Sequence, residues 1–350
     1  MKSAQSPVSL VSKELVQFVG CDDGHFGVKL ITEGANGKLV QTYVPSCVAS
    51  GAQVVALGDG EENFYEAEGG QVYTVSQTLP HIDTRFADYG LSDINRVLVH
   101  HALIKAGLAG VSVRLVTGLP VDDFFVANKP NLEFIDRKVK SLTEKSVTNK
   151  NESILCAKII GHIVQPEAIA AFYDMLINDD GSINKELEEI VGHSSVGIID
   201  IGGKTTDSAV IINGGKGIDP ARSGTTPIGG LSLNAAVEQR LKDAFKLSQL
   251  SSVQVDKAVM TGVLRVFGKD NDCSAIIDHE KEVLADQIIV ATKRKMRDAA
   301  DLEKVYFVGG GSLLLHKQLR DLFPHGEFVT DPQFSNARGM YKIAKYLLNR

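Results

Sequence analysis

Apolar residues recur along the chain with two periods, one typical of strands and one typical of helices. Short apolar runs bounded by turn residues predict β-hairpins at "VQFVGCDDGHFGVKLIT" and "VGIIDIGGKTTDSAVII". A helical period predicts a helix at "LSDINRVLVHHALIKAGLAG", where Ser92 and Asp93 can cap the first turn. Strands and helices mix throughout and a hairpin opens each half, so the pattern predicts an α/β fold of two halves.

Other segments complete this prediction. "VSVRLVTGLP" reads as a buried strand, and "KVYFVGGGSLLLHKQLRDLF" as a strand, a glycine turn and a helix. "QPEAIAAFYDMLIN" predicts a helix with Pro166 in its first turn, and residues 250–300 read as mostly helical. The acidic run "GDGEENFYEAEGG" predicts an exposed loop.

The two hairpins resemble each other. Both run apolar strand, Asp, any residue, Gly, polar turn and apolar strand, so that Asp22 matches Asp200 and Gly24 matches Gly202. The offset, 200 − 22 = 178 positions, is about half of the 350 residues. We therefore predict a duplicated fold whose paired loops face one cleft.

Composition narrows the class of protein. The 350 residues are enough for about two domains. A net charge of −6 argues against a chain that wraps nucleic acid over a broad surface. No apolar stretch is long enough to span a membrane, and the N-terminal residues lack the apolar core of a secretory signal. Four cysteines without paired spacing predict reduced thiols in a cytoplasmic protein.

Glycine turns of this kind can hold phosphate. Consecutive backbone N–H groups form a nest for phosphate oxygens, and Lys204 and Thr205 could add charge and a hydroxyl donor. Asp22 and Asp200 would repel bare phosphate, so they indicate a Mg²⁺–nucleotide. "GGKT" resembles the end of a P-loop, but that motif requires a glycine where Ile198 stands. Ordinary Asp-Gly hairpins remain the simpler alternative for each turn taken alone.

The run "VGGGS" near the C-terminus follows a strand and precedes a helix. It departs from the dinucleotide fingerprint, because Leu314 stands where the third glycine would be. The flat glycine backbone could hold a base, a ribose or a phosphate edge. His100 and His101 point about 100° apart on a helix, which predicts packing rather than a metal site, and the basic run 293–297 predicts a solvated helix face.

The order of these motifs resembles the actin, Hsp70 and sugar kinase ATPases. Within that superfamily, "VHHALIKAGL" followed by "VRLVTGLPV", "IIDIGGKTTD" and the closing "SNARGMYKIAKYL" are similar to the plasmid-segregation actins of the ParM (StbA) family. The resemblance runs from about residue 18 to residue 350. It implies an actin-like duplicated ribonuclease-H-like fold, with two domains around a nucleotide cleft.

The resemblance also implies domain limits. A flexible tail would occupy residues 1–17. The first domain would span 18–190, with a smaller lobe at about 38–90, and would be completed by a C-terminal helix at 335–350. The second domain would span 191–334, with a smaller lobe at about 232–285.

The resemblance carries over to individual positions. Asp22 and Asp200 would hold Mg²⁺ through water, and Glu167 and Asp200 would be catalytic. Glu167 matches the carboxylate that orients the attacking water; Pro166 would place it at a helix N-terminus, where the dipole keeps it ionised. His25 departs from the Ser or Thr usual at its place. The implied nucleotide-binding residues are Asp22, Gly24, His25, Lys29, Thr117, Gly118, Gly202, Gly203, Lys204, Thr205, Gly229, Gly230, Gly309, Gly310, Gly311 and Ser312.

By the same resemblance, the protein would be a bacterial, cytoplasmic ATPase, or GTPase, that polymerises into filaments. An adaptor protein would link the filament to plasmid DNA, and no membrane would be involved. Two alternatives stay open. An Hsp70-like chaperone would need a peptide-binding domain, and the chain ends at Arg350 directly after the last predicted helix. A sugar kinase would need a base near a sugar pocket, for which Asp122 and Asp123 are the candidates.

Overall fold

The computed structural model describes residues 16–53 and 63–348. The strands up to residue 166 are β1 (Gln17–Asp23), β2 (Gly27–Glu33), β3 (Leu39–Pro45), β4 (Val48–Ser50), β5 (Phe64–Ala67), β6 (Val72–Val75), β7 (Ser112–Leu119), β8 (Phe125–Val126), β9 (Lys129–Pro130), β10 (Val147–Asn149) and β11 (Lys158–Pro166). The helices up to residue 193 are α1 (Asp93–Lys105), α2 (Val121–Phe124), α3 (Leu132–Thr143), α4 (Ile169–Leu176) and α5 (Lys185–His193).

The rest of the chain has a similar mixture. Its strands are β12 (Ser195–Ile201), β13 (Thr206–Ile212), β14 (Gly217–Ile218), β15 (Gly224–Thr226), β16 (Val263–Val266), β17 (Lys269–Asp272), β18 (Leu302–Val308) and β19 (Gly326–Phe328). Its α-helices are α6 (Gly230–Phe245), α7 (Ser252–Thr261), α8 (Ser274–Met296), α9 (Gly310–Leu314), α10 (His316–Leu319) and α11 (Ser335–Lys342). A π-helical turn, Ile343–Leu347, follows α11, and 3-10 turns occupy Tyr89–Leu91 and Pro332–Phe334.

Two large sheets repeat one topology. The first has the order β11-β7-β1-β2-β3, and the second has the order β14-β13-β12-β18-β19 with β15 also beside β13. In each, the first strand pairs antiparallel with the next strand of its hairpin and parallel with a later strand. Asp22 faces Lys29 across the first hairpin, and Asp200 faces Asp207 across the second. The predicted duplicated α/β fold is confirmed.

The central strands are apolar because both of their faces are covered. Along β12, Ile198 packs with Phe172 in one core, whereas its neighbour Ile199 packs with Val237 and Ile288 in another. Neighbouring side chains on a strand point to opposite faces, so one run of residues supplies both cores. Each fully buried isoleucine contributes roughly 1.5–3 kcal/mol to folding.

Helix α11 packs on the first sheet although it comes last in the chain. It lies against α4 and β1, and a Cβ on Gly339 would overlap the carbonyl oxygen of Ala170. Asp174 on α4 forms ion pairs of 2.8 Å with both Arg338 and Lys342. Backbone contact and buried charge therefore fix α11 to α4.

Several predicted elements are wrong in detail. The acidic run contains strand β5, where Tyr65 and Ala67 are buried; its residues 58–62 lie outside the described part of the chain. Residues 250–300 are mostly helical, as predicted, but they also contain the hairpin β16–β17 between α7 and α8. The helix expected after "VGGGS" is divided into two short helices, α9 and α10.

The predicted domain limits of 18–190 and 191–334 remain a proposal. Strands β2–β11 lie within the first range and β12–β19 within the second. The predicted tail of 1–17 lies outside the described residues except at its end, where Gln17 already begins β1.

The remaining predictions concern cysteines, histidines and membranes. All four cysteines are free thiols, as predicted. His100 and His101 are buried, and His101 Nδ1 lies 2.8 Å from the Tyr65 hydroxyl. Across residues 16–53 and 63–348, no helix is long and apolar enough to cross a membrane.

Candidate functional site

The first glycine turn joins β1 to β2. Lys29 Nζ donates to Asp22 Oδ2 at 3.1 Å across the hairpin, and both side chains are largely buried. A Cβ on Gly24 would lie 3.2 Å from Asp22 Oδ1 and 3.4 Å from Lys29 Nζ. Any larger residue would crowd this ion pair, so glycine keeps the turn open above it.

His25 stabilises this turn with its ring. Its Nδ1 lies 2.7 Å from the carbonyl oxygen of Thr84, whose hydroxyl donates to the His25 carbonyl. Burial, followed by the nearby charge of Lys204, lowers the pKa of His25 to about 4. The ring is therefore neutral at physiological pH, and the carbonyl partner fixes its proton on Nδ1. A hydroxyl at this position would lack the reach to Thr84.

The second glycine turn joins β12 to β13. Gly202 N–H donates to the Thr205 carbonyl at 2.9 Å, which closes the turn. Behind it, the N–H groups of Gly230 and Leu231 donate to the carbonyls of Gly202 and Gly203. Gly229 and Gly230, implied above as nucleotide-binding residues, thus support the second turn from outside the cleft.

The two turns touch each other. A Cβ on Gly203 would lie 2.8 Å from the Phe26 Cβ and 3.0 Å from the Phe26 backbone nitrogen. Lys204 Nζ reaches the carbonyl oxygen of Phe86 at 3.3 Å. The loops of the two halves consequently meet at one place, which we call the cleft.

The third glycine run enters the cleft from β18. Gly309 has a positive φ of 81°, and a Cβ there would overlap Asp200 Oδ1. Only glycine adopts this conformation without strain, so Gly309 allows β18 to end against the Asp200 carboxylate. Gly311 is packed on Ile201, and the Ser312 hydroxyl donates to the Gly309 carbonyl at 2.7 Å.

Glu167 lies in the turn between β11 and α4. The prediction that Pro166 begins the helix is wrong, because Pro166 ends β11 and Ala168, with φ 51°, separates Glu167 from the helix. Glu167 N–H instead donates to the Leu119 carbonyl at 2.8 Å. A Cβ on Gly118 would lie 2.9 Å from Glu167 Oε1, so the Glu167 side chain lies across β7 at Gly118.

The electrostatic part of that prediction is wrong as well. Burial, followed by the charges of Asp22, Asp207 and Asp200, raises the pKa of Glu167 well above its usual range. Burial raises the pKa of Asp200 to about 6 and that of Asp207 to about 7. The carboxyl groups of Asp22, Asp200 and Asp207 are close enough to Glu167 for their charges to raise its pKa, and this environment favours the approach of a cation.

The donor set fits Mg²⁺ bound with a nucleotide. Asp200 Oδ1 is buried and has no hydrogen-bond partner among the described residues. In the described part of the chain, no three His, Cys, Asp or Glu residues form a cage for an ion. Mg²⁺ typically uses one or two carboxylates and takes its other ligands from phosphates and water.

Sequence reasoning missed three polar residues that line the cleft, namely Asp23, Lys138 and Asn336. Lys138 Nζ donates to Asp23 Oδ1 at 3.0 Å and to the Gly118 carbonyl at 2.6 Å. Asn336 Nδ2 donates to Asp200 Oδ2 at 2.6 Å. Lys138 belongs to a charged amphipathic helix and Asn336 to the closing helix, and their sequence patterns carry no signal that either faces the cleft.

The structure separates the predicted site residues into two groups. One group lines the cleft: Asp22, Gly24, His25, Lys29, Gly118, Glu167, Asp200, Gly202, Gly203, Lys204, Thr205, Gly309 and Gly310. The other lies behind its wall: Thr117, Gly229, Gly230, Gly311 and Ser312. Thr117 is fully buried, and its hydroxyl lies 2.9 Å from His162 Nε2.

Both halves match known families. Residues 17–178 match the family described as "Plasmid segregation protein ParM, N-terminal". Residues 198–321 match "Archaeal actin homologue MreB-like, C-terminal". No curated protein matches the chain in sequence.

Solved structures share the fold at low identity. A 15-stranded ParM filament from Clostridium botulinum is 20% identical, with 94% of this chain and 99% of that chain covered and a TM-score of 0.75. The archaeal actin homolog Ta0583 in complex with ADP is 20% identical, with 94% and 99% covered and a TM-score of 0.72. Bacillus thuringiensis ParM with AMPPNP is 16% identical, with 95% and 99% covered and a TM-score of 0.64. The chain therefore has the actin-like fold of these structures, and its first half is similar to the ParM N-terminal family and its second half to the MreB-like C-terminal family.

Proposed function

We propose that the protein hydrolyses a Mg²⁺–nucleoside triphosphate, ATP or GTP, in the cleft between its halves. One observation carries the proposal: two glycine turns and the carboxyl groups of Asp22, Glu167 and Asp200, contributed by both halves, converge there. Glycine turns suit phosphate oxygens, whereas clustered carboxylates suit the accompanying cation.

Each residue has a part in this proposal. The N–H groups of residues 24–26 and 203–205, with Lys29 and Lys204, hold the phosphates. Glu167 orients the attacking water toward the terminal phosphorus, and Asp200, with Asp22, holds Mg²⁺ through water. Mg²⁺, when bound, supplies charge stabilisation to the phosphates and lowers the pKa of the surrounding carboxyl groups. Positioning and charge stabilisation supply most of the catalysis of phosphoryl transfer.

We further propose that the bound nucleotide controls polymerisation into filaments that separate plasmid copies in the bacterial cytoplasm. The match of residues 17–178 to the ParM N-terminal family and the similarity to a ParM filament structure support this assignment. A nucleotide that contacts both halves can set their relative angle, and contacts between subunits can respond to that angle. The other partners would be a centromere-binding adaptor and, through it, plasmid DNA.

The test measures polymer and phosphate in one sample. Light scattering follows the purified protein after addition of Mg–ATP, Mg–GTP or a non-hydrolysable analogue, and negative-stain microscopy identifies the scattering species. Free phosphate is assayed in parallel. Polymer that requires nucleotide, with phosphate released as it ages, supports the proposal, whereas no polymer over a wide range of protein concentration contradicts it.

A sugar kinase remains the second candidate because Asp123 lines the cleft with an exposed side chain. Asp122 is a weaker candidate base, since it does not line the cleft and its backbone N–H donates to the Thr225 hydroxyl of β15. Phosphate that appears on an added sugar, rather than free in solution, would favour the kinase.

A further inference from the structure

We propose that Asn336 is a positioning residue that holds the Asp200 carboxylate in its hydrolytic orientation. This inference rests on the proposed nucleotide hydrolysis. Asn336 lies on α11, which packs on the first sheet, whereas Asp200 ends the central strand of the second sheet.

The contact itself is short and buried. Asn336 Nδ2 donates to Asp200 Oδ2 at 2.6 Å, and the two residues are 6% and 3% exposed. The opposite orientation of the amide would place two acceptor oxygens against each other, so the carboxylate fixes which end of the amide faces it. A hydrogen bond to a charged group in such surroundings is among the stronger ones.

The pair leaves two oxygens without partners. Asp200 Oδ1 and Asn336 Oδ1 are both buried and make no hydrogen bond in the described structure. Both residues line the cleft. Acceptors of this type suit the water molecules that Mg²⁺ retains, so the leftover oxygens fit the proposed cation better than they fit a purely structural pair.

The helix that carries Asn336 cannot shift easily. Arg338 and Lys342 pair with Asp174 on α4, and the backbones touch where Gly339 meets Ala170. Helix α4 begins two residues after Glu167. Glu167 and Asn336 therefore belong to one rigid unit of the first half, and Asp200 approaches that unit from the second half.

Helix α4 also contacts the second half, because Phe172 packs in one core with Ile198 of β12. Asn336 and Asp200 are therefore both held against α4, which gives the Asn336 amide a fixed frame from which to orient the Asp200 carboxylate.

A purely structural role for Asn336 has little support. Its side chain does not cap α11, whose N-cap is Phe334, and it makes no other hydrogen bond with the described residues. Removal of the amide should therefore affect Asp200 more than it affects folding.

The experiment compares Asn336→Ala, Asn336→Asp and Asn336→Gln with a matched control, Asn234→Ala. Asn234 Nδ2 also donates to a carboxylate, that of Asp256, but this contact lies outside the cleft lining. Steady-state hydrolysis gives kcat and KM. Calorimetric titration with ATP, in Mg²⁺ and in EDTA, gives the gain in nucleotide affinity that Mg²⁺ provides, and thermal melting reports folding.

We expect Asn336→Ala to lower kcat about 10- to 100-fold and KM to change less than about threefold, because residues that orient metal ligands have effects of this size. The Mg²⁺-dependent gain in affinity should fall about tenfold. Asn336→Gln, which keeps the donor, should recover part of both, and Asn234→Ala should match the wild type. Asn336→Asp, which keeps the shape without the donor, replaces the alanine variant if that variant fails to fold.

The outcomes separate the inference from the proposed function. An active wild type together with folded Asn336 variants of unchanged kcat and unchanged Mg²⁺ response would overturn the positioning role alone. A wild type that binds Mg–ATP without hydrolysing it would contradict the proposed function, while the calorimetric comparison would still test Asn336.

Discussion

Asp207 takes the place in the second hairpin that Lys29 takes in the first. The first turn thus contains an ion pair, whereas the second contains two facing acids whose pKa values rise to about 6 and about 7. Duplication preserved the backbone and not the charge. The Asp207 carboxyl group accepts hydrogen bonds from its neighbours. Val121 N–H donates to Oδ1 at 2.7 Å, and the Thr225 hydroxyl donates to the same atom. The second turn consequently has the greater need for a cation.

Buried histidines should make the fold sensitive to acid. Burial, followed by the charge of Arg96, lowers the pKa of His100 to about 4. The folded state keeps the His100 ring neutral. The stability that depends on this neutral ring is therefore fully present above pH 6.5 and is lost as the pH falls from about 6.5 toward 4. The free energy of unfolding should fall between pH 7 and pH 5 in both proteins, and we expect this fall to be about 2 kcal/mol smaller in His100→Gln than in the wild type. Urea denaturation at the two pH values measures the difference.

His100→Met provides the check on this prediction. It also removes the titrating group but changes the packing, so its stability at pH 7 should differ while its pH dependence matches that of the glutamine variant. Two variants that both retain the wild-type loss between pH 7 and pH 5 would exclude His100 as a source of acid sensitivity.

Among the secondary structure elements, α11 makes the tightest contact with the rest of the fold. A Cβ on Gly339 would overlap the Ala170 carbonyl oxygen and approach the backbone nitrogen of Asp174 to 3.2 Å. Neither neighbour is a flexible side chain, so the helices would have to separate. We expect Gly339→Ala to lower the free energy of unfolding by about 3 kcal/mol or more, as measured by chemical denaturation.

Gly192 on α5 is the matched control. A Cβ there would meet nothing within 4 Å, and alanine is the better helix former. Gly192→Ala should therefore raise stability by about 0.5–1 kcal/mol. Equal effects of the two substitutions would mean that helix propensity, rather than the contact with α4, governs position 339.

The hydrophobic pattern predicts elements well where an apolar period is long. Both hairpins and helix α1 follow from it, and Ser92 caps α1 by accepting from Asn95 N–H as expected. The pattern fails at short strands such as β16 and β17. Each of these strands has only four residues, and charged side chains among them leave no clear apolar period. Pro166 was misleading because proline is tolerated at a strand end as readily as at a helix start.

For the molecule as a whole, the sequence indicates the loops of the cleft but not the residues that come from remote elements. Asp22, Asp200 and the glycines stand out because they interrupt buried strands. Lys138 and Asn336 do not, because only tertiary packing carries them to the cleft from α3 and α11. The raised pKa of Glu167 was equally invisible, since it depends on burial and on three carboxyl groups distant in sequence.

Loss of the proposed water-orienting carboxylate should uncouple assembly from disassembly. Glu167→Gln keeps the size of the side chain and should still bind Mg–nucleotide, whereas hydrolysis should fall about 10²- to 10³-fold. Filaments of this variant should form with ATP and persist, as filaments of the wild type should with a non-hydrolysable analogue. Light scattering followed over time, alongside phosphate release, measures both effects.

The wild type with ATP serves as the comparison for this variant. Its scattering should rise and then decay as phosphate appears. A Glu167→Gln polymer that decays at the wild-type rate, while releasing little phosphate, would separate filament turnover from hydrolysis and contradict the proposed role of Glu167.

The place of α11 also bears on how the chain is made. Tyr341 donates to Glu33 from a position 308 residues further along the chain, and it packs there with Ile31 and Phe334. During translation, β1 and β2 leave the ribosome long before the helix that covers them. The first sheet must wait, with one apolar face open to water and to chaperones, until the helix that lies 308 residues further along the chain has been synthesised.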